Sequence, residues 1–204
     1  MPVQRLWAFE RGALWAMDLG EAAPPRSKPR TTATFHEAAP EAAAMLAAAM
    51  GFAEPCEVQQ RFTTGSRCFV AWAESAIAGY GWVSQGKERI GELERVVRMR
   101  PEEAYIWDCA TLPPFRRQGI YSALLAYIAT AMRREGFRRV WIGASLRNRP
   151  SLKGFAHAGF QPTVNVIYLR LLRLSHSWVL GAASAPSALV ADARWALVAD
   201  RDTW

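Results

Sequence analysis

Leu112-Pro113-Pro114-Phe115-Arg116-Arg117-Gln118-Gly119-Ile120-Tyr121-Ser122-Ala123-Leu124-Leu125 is the stretch on which the reading of this chain turns. Upstream lies a β-rich run, Tyr105 to Thr111. Downstream, Leu124, Leu125, Ile128 and Met132 recur with the spacing of one helix face. The stretch therefore reads as strand, tight turn and helix N-terminus. The first N–H groups of a helix have no partner within it, and together they face an approaching anion. Gly119 lacks a Cβ and lets a ligand come close to the backbone. The expectation is a loop that holds a pyrophosphate.

Charge is concentrated around this loop. Of the net +7, the stretch from Arg116 to Lys153 holds nine basic residues against Glu135 alone, a local charge of +8, so the remainder is close to neutral. A basic patch is one signature of nucleic-acid binding. Here the cations flank a structured turn, with no helix-turn-helix or zinc pattern beside them. A small polyanionic ligand is the tighter explanation, and a nucleic-acid partner is not expected. Arg5, Glu10, Arg11, Asp18 and Glu21 interrupt every early apolar run, so neither a signal peptide nor a membrane span is expected, and the cytoplasm is the default compartment. Cys56, Cys68 and Cys109 show no metal-ligand or paired spacing, so no metal, disulfide or covalent catalysis is expected.

Taken in order, residues 1–20 read as two short strands joined at Gly12, and Pro24 to Arg30 as a linker or surface loop. Glu41 to Met50 reads as a helix ended by Gly51. It opens either from a capping box at Thr34 and Glu37 or from Pro40 in the first turn. Cys68–Trp72 and Ile77–Val83 form a strand pair, and Arg89–Met99 reads equally as strand or charged helix. Then follow strand Tyr105–Thr111, helix Gly119–Glu135, strand Arg139–Ala144, a short helix from Asn148 to Gly159, and strand Thr163–Leu172. This order predicts an α/β fold with a mixed, mostly antiparallel central sheet flanked by helices. Three regions are expected: 1–30 packed on the main domain, the domain itself over 31–175, and a tail over 176–204. In that tail Ala-Leu-Val-Ala-Asp occurs at 188–192 and again at 196–200. Two copies are too few for a repeat architecture. A docking tail, a homodimer contact or an idiosyncratic end all fit.

At Arg116-Arg117-Gln118-Gly119-Ile120-Tyr121 the chain resembles the GCN5-related N-acetyltransferase (GNAT) superfamily, whose pattern there is Gln/Arg-x-x-Gly-x-Gly/Ala between a strand and a helix. Asn148-x-x-Ser151 followed by Ala158-Gly159-Phe160 resembles the next motif of that family, and Pro113 stands where the family usually has a proline. The resemblance covers about 104–160 most closely and extends over 34–172. It implies an acyl-coenzyme A site, with acetyl-CoA as co-substrate. The amides of Arg117, Gln118, Gly119, Ile120 and Tyr121 would hold the pyrophosphate, and Thr111 and Leu112 would pair their backbone with the pantetheine arm. Asn148 and Ser151 would face that arm, and Arg116, Arg117 or Lys153 would meet the 3′-phosphate.

Two residues depart from the family pattern. Tyr121 replaces a small residue and would crowd the pyrophosphate unless its side chain turns away. Phe155 replaces the tyrosine that protonates the leaving thiolate in many members, which leaves solvent, Tyr121 or Tyr168 for that task. Asp108 aligns with an acid of polyamine-type members and would bind or deprotonate the amine; equally, it would pair with an arginine or cap a loop. Tyr105 stands where histone-type members carry a catalytic glutamate. Trp82 and Trp107 read as core, or as lining of an acceptor pocket. The function implied is N-acetyl transfer to a small-molecule or peptide amine, and the alternative is a non-catalytic acyl-CoA-binding module.

Overall fold

The computed structural model describes residues 7–20, 23–25, 27–90, 95–172 and 174–199. In it the decisive stretch folds as its pattern dictates. Strand β7 (Glu103–Thr111) runs into a short 3-10 turn at Pro113–Phe115, whose prolines fit the first turn of a helix. The chain then reverses at Gly119 into helix α3 (Ile120–Arg134). The apolar face of α3 places Leu124, Leu125, Ile128 and Met132 at 1% exposure or less. Its return strand β8 (Arg139–Ser145) lies parallel to β7, paired from Glu103↔Arg139 to Ile106↔Ile142. A parallel pair needs a long crossover, and α3 supplies it. Helix α4 (Arg149–Ala158), capped by Asn148, then leads to β9 (Gln161–Leu171).

These strands belong to an eight-stranded sheet with β1 (Trp7–Asp18), β2 (Thr34–Ala38), β3 (Arg67–Ala73), β4 (Ala76–Ser84) and β10 (Leu174–Gly181). Their order is β10-β9-β1-β8-β7-β4-β3-β2, and every neighbouring pair except β7/β8 is antiparallel. One face packs Met17, Phe69, Val83 and Ile106 against α3 and α4. The other is covered by α1 (Ala43–Met50) and α2 (Cys56–Thr63), over Val70 and Trp82, and by α5 (Ser187–Ala196), over Trp141 and Val166. A small sheet of β5 (Lys87–Ile90), β6 (Arg95–Arg98) and β11 (Leu197–Ala199) adjoins α5. The expected mixed, mostly antiparallel sheet between helices is thus the observed one. Among the described residues no helix is long and apolar enough to cross a membrane.

Two expectations, on residues 7–18 and on the tail, are corrected, and two open alternatives are decided. Residues 7–18 form one strand, not two. β1 lies inside the sheet between β8 and β9, with Gly12 opposite Ser145 on one side and Val166 on the other. Two strand neighbours satisfy its backbone, which outweighs the local turn signal of Gly12. Thr34 to Ala38 is a strand, so the helix opens from Pro40 and not from a capping box. The region Arg89–Met99 contributes strand and no helix at its described positions; 91–94 fall outside the described residues. The tail is part of the fold. The first Ala-Leu-Val-Ala-Asp copy lies within α5, while the second leaves the helix and becomes β11, pairing Leu197 with Val97; Asp200 lies outside the described residues. One pentapeptide thus takes two conformations because its partners differ.

The proline-rich segment after β1 runs across the helical layer. Pro25 lies beside Gly159 at the end of α4, and Pro29 Cα and Lys28 O lie 3.5 and 3.6 Å from the position a Gly119 Cβ would take. The Arg30 N–H donates to Gln118 O at 2.7 Å. The segment is a strap whose far end rests on the proposed pyrophosphate loop.

Candidate functional site

The loop at Arg116–Tyr121 has the geometry of an anion site. Arg117 (φ 63°) and Gly119 (φ 77°) are both left-handed, which turns successive N–H groups toward a common side. The N–H groups of Arg117, Gln118, Gly119, Ile120 and Tyr121 have no acceptor among the described residues, and intrahelical bonding resumes only at Ala123 N–H to Gly119 O. The dipole of α3 adds partial positive charge at the same point. Arg116 and Arg117 are exposed here, and the strap brings exposed Lys28 and Arg30 alongside. Position in the fold refines the charge argument. Arg139 is engaged with Glu103, Asp192 and Asp18, and Arg133 donates to Leu19 O, so neither serves the loop. The backbone of Lys28 and Arg30, distant in sequence, lies against the loop instead.

Beside the loop the sheet opens. β7 and β8 stop pairing after Ile106↔Ile142 although both strands continue, and a cavity of about 860 Å3 occupies the gap. β1 residues Glu10–Leu14 form one wall, Tyr105–Cys109 the other, and Tyr121, Asn148, Ser151 and Phe155 close the helical side. On β7, a bulge places Asp108 and Cys109 opposite Gly81, with Asp108 at φ 41°. Leu112 donates its N–H to Ala78 O and accepts from Phe115 N–H, both at 2.9 Å. Its N–H is therefore engaged within the fold, and its carbonyl already accepts one hydrogen bond. By the alternation of an extended strand the Thr111 N–H points the other way, toward the gap. The Thr111 carbonyl accepts from Arg116 Nε at 3.2 Å, and Thr111 Oγ1 is buried without a partner. Asn148 Oδ1 accepts from Ser151 N–H at 3.3 Å, so this asparagine caps α4 as well as lining the cavity.

Tyr121 resolves the crowding anticipated from the sequence. Its ring turns away from the loop, between α3 and α4, and stacks on Phe155 with centroids 6.3 Å apart. Space for it exists because residue 154 is glycine: a Cβ there would sit 2.4 Å from Tyr121 Cδ1. Gly154→Ala is accordingly expected to destabilise the fold by about 1–3 kcal/mol, since the wedged ring cannot yield, and a thermal melt checks this. Burial pushes the Tyr121 phenol well above its ordinary range, with Ser151 as polar neighbour. Tyr168 is buried on β9 and is not among the lining residues.

On the face opposite α3 and α4, Arg61 Nη1 donates to Asp108 Oδ2 at 2.5 Å. Arg61 also lies over Trp107, Trp82 and Phe52, with its guanidinium carbon 4.7, 5.1 and 5.4 Å from the ring centroids. Of the two readings for Asp108, the pairing with an arginine is present. Trp107 lines the cavity, whereas Trp82 is fully buried beneath it and is core. Cys109 also lines the gap; burial drives its thiol far from the thiolate form, the opposite of an activated nucleophile. All three cysteines are free. Sequence reasoning missed α2 and its Arg61, and also Glu10 and Arg11. The interruption of an apolar strand by Glu10-Arg11-Gly12 is the available signal, and local rules assign it to a turn.

A sequence model described as the acetyltransferase (GNAT) family matches residues 33–160. Comparison with curated proteins finds no match. Among solved structures, a GCN5-related N-acetyltransferase from Sphaerobacter thermophilus aligns with TM-score 0.57 and 16% identity over 89% of this chain and 55% of its own. A GNAT-family acetyltransferase from Colwellia psychrerythraea gives 0.55 and 15% over 85% and 57%. A tandem GNAT protein from the clavulanic acid biosynthesis pathway gives 0.53 and 16% over 86% and 55%. This chain spans little more than half the length of each of these three.

Proposed function

This chain belongs to the GNAT acetyltransferase family, and on that premise we propose that it transfers an acetyl group from acetyl-coenzyme A directly to a primary amine. The observation that carries the reading is the array of five unpartnered N–H groups at the mouth of the gap between β7 and β8. The array would hold the pyrophosphate. Arg116, Arg117, Lys28 and Arg30 would meet further phosphate charge, and the Thr111 N–H would face the arm together with Asn148 and Ser151, which line the cavity. When bound, the coenzyme supplies an acyl carbon activated as a thioester. The Thr111 N–H is the backbone donor proposed to polarise its carbonyl, a preorganised dipole in a partly dry cleft. A cytoplasmic location accords with this reading, since a polyanionic thioester does not diffuse through a bilayer.

The protein residues divide the remaining work. With a thiol rather than a thiolate at Cys109, attack by the amine itself accounts for transfer without an acyl-cysteine. Tyr121 replaces the hydroxyl missing at Phe155: its ring stacks on that phenylalanine, and burial raises its pKa and so keeps the O–H protonated and able to donate toward the departing sulfur. Tyr121→Phe should lower kcat by about 10- to 100-fold with the KM for acetyl-CoA within about twofold, as for removal of a general acid. Steady-state thiol release checks it. Asp108, neutralised by Arg61, is assigned to the acceptor side, where it fixes Trp107 and Arg61 in the cleft wall.

Phe155 also favours a second reading, a module that binds acyl-CoA without turnover. Thiol release with a panel of primary amines separates the two: turnover supports transfer, and tight acetyl-CoA binding with no release over the whole panel supports the module.

A further inference from the structure

The structure assigns to Glu10 the capture and deprotonation of the acceptor amine, a role that rests on the acetyl-transfer reading and lies outside the residues matched by the family model. β1 occupies the interior of the sheet, and its even-numbered side chains Ala8, Leu14 and Ala16 pack on the face that bears α5. Glu10 shares that face, opposite Tyr168 on β9. β8 ends its pairing with β1 at Gly12↔Ser145, and Leu146 N–H closes on Arg11 O at 2.8 Å. Beyond that point nothing of β8 lies between β1 and the gap, and Glu10 stands at the opening as a lining residue of the cavity.

Glu10 is half-buried, and its carboxylate makes no hydrogen bond or ion pair among the described residues. A carboxylate withdrawn from water without a partner is unfavourable for stability, so an arriving ammonium has a vacancy to fill. Asp108, on the facing wall, differs: Arg61 already holds its Oδ2. Among the described residues the cavity has two acids, and the guanidinium leaves Glu10 as the one without an ion-pair partner. Tyr168 is the strand partner of Glu10 on β9, and Tyr105 and Asp108 on β7 and Arg89 on β5 line the same cavity, with Arg11 its neighbour in the chain.

In the step assigned, Glu10 takes one proton from the acceptor ammonium, and the freed nitrogen lone pair forms a C–N bond with the thioester carbonyl carbon. Collapse breaks the C–S bond. Tyr121 gives its proton to the departing thiolate, which leaves as the thiol, and is reprotonated by the second N–H proton through solvent, while Glu10 returns its proton to solvent. The lining also sets the acceptor class. Tyr105, Trp107, Ile90 and Leu197 give apolar and aromatic surface, while Arg11 opposes a second cation. A monocationic amine on an apolar or aromatic body fits, and a diamine does not.

The test is steady-state thiol release by the full chain with acetyl-CoA and tyramine, putrescine or glycinamide. Glu10→Gln should lower kcat/KM for the amine by about 100-fold or more, with acetyl-CoA affinity by calorimetry within about twofold. Its residual rate should rise about tenfold per pH unit toward the amine's own pKa, because the variant must await amine that solvent has deprotonated. Glu10→Asp should recover part of the loss, and Asp108→Asn should raise the amine KM more than it lowers kcat. A Glu10→Gln enzyme with kcat/KM within about threefold of the unmodified chain and an unchanged pH profile overturns the assignment. Preference for putrescine over tyramine overturns the acceptor class. No thiol release by the unmodified chain with any of the three amines overturns the acetyl-transfer reading itself, and the role of Glu10 falls with it.

Discussion

Gly119→Glu is expected to weaken acetyl-CoA binding by about 100-fold or more, close to 3 kcal/mol, while the protein stays folded. Two effects act together. Gly119 sits at φ 77°, a conformation that costs an L-residue about 1 kcal/mol, and its Cβ would come within 3.5 Å of Pro29 Cα in the strap. The larger effect is electrostatic. The five free N–H groups of residues 117–121, with the positive end of the α3 dipole, attract any nearby carboxylate. A glutamate at this point would occupy the array from within. It would satisfy the orphan donors, so the helix terminus is not left worse off, and it would repel the pyrophosphate. Gly119→Ala separates the contributions, since it carries strain without charge and should weaken binding by less than tenfold. Calorimetric titration with acetyl-CoA, beside a thermal melt of each variant, makes the comparison. Unchanged affinity in the glutamate variant would remove the loop as the phosphate site.

The same loop marks how far the sequence is legible. Strand, turn and helix around Gly119 follow from local rules: proline in the first turn, glycine at the reversal, a 3.6-residue apolar period. Their pairing with Asn148–Phe160 makes the family readable before any coordinates, and the fold brings Tyr121, Asn148 and Ser151 to one cavity. The acceptor half is not readable in this way, because long-range pairing builds it. β1 lies between β8 and β9, strands more than 100 residues away, and the polar trio Glu10-Arg11-Gly12 that looked like a turn is the part of the strand that meets the cavity. Arg61 is equally invisible, as its value comes from reaching Asp108 across 47 positions. Local sequence and final structure disagree most at Glu10–Gly12, where a central strand gives up apolar character to line a cleft, as expected where function overrides folding preference. The tail shows the converse. Identical pentapeptides at 188 and 196 diverge because α5 finds an apolar sheet face to cover and β11 finds the edge of β6.

What holds that tail in place yields the second large effect. Arg139 Nη1 donates to Glu103 Oε1 at 3.3 Å and to Asp192 Oδ2 at 2.8 Å, while Nη2 reaches Asp18 Oδ2 at 3.3 Å. One guanidinium thus ties β8 to β7, β1 and α5. Glu103 is only 3% exposed, so Arg139→Met would leave a buried carboxylate with the Arg100 N–H at 3.1 Å and Arg100 Nη1 at 3.7 Å. Breaking a buried pair from one side is costly, and a loss on the order of 3 kcal/mol is expected at pH 7. For a chain of this size that corresponds to a fall of roughly 6–12 °C in Tm. The pH dependence follows from Asp192, whose carboxyl is held below its ordinary value of 3.8 by the hydrogen bond from Arg100 and then by that from Arg139. A depressed folded-state pKa gives stability that is complete above the unfolded value, near pH 4, and lost as pH falls through the folded one. Arg139→Met should therefore lose less at pH 3 than at pH 7, and Asp192→Asn should flatten the acid limb of the stability curve. Urea unfolding of both variants at the two pH values measures this. An equal penalty for Arg139→Met at pH 3 and pH 7 would mean that its packing over Trp141, 5.3 Å from the ring centroid, and not its charge, secures α5 against the sheet.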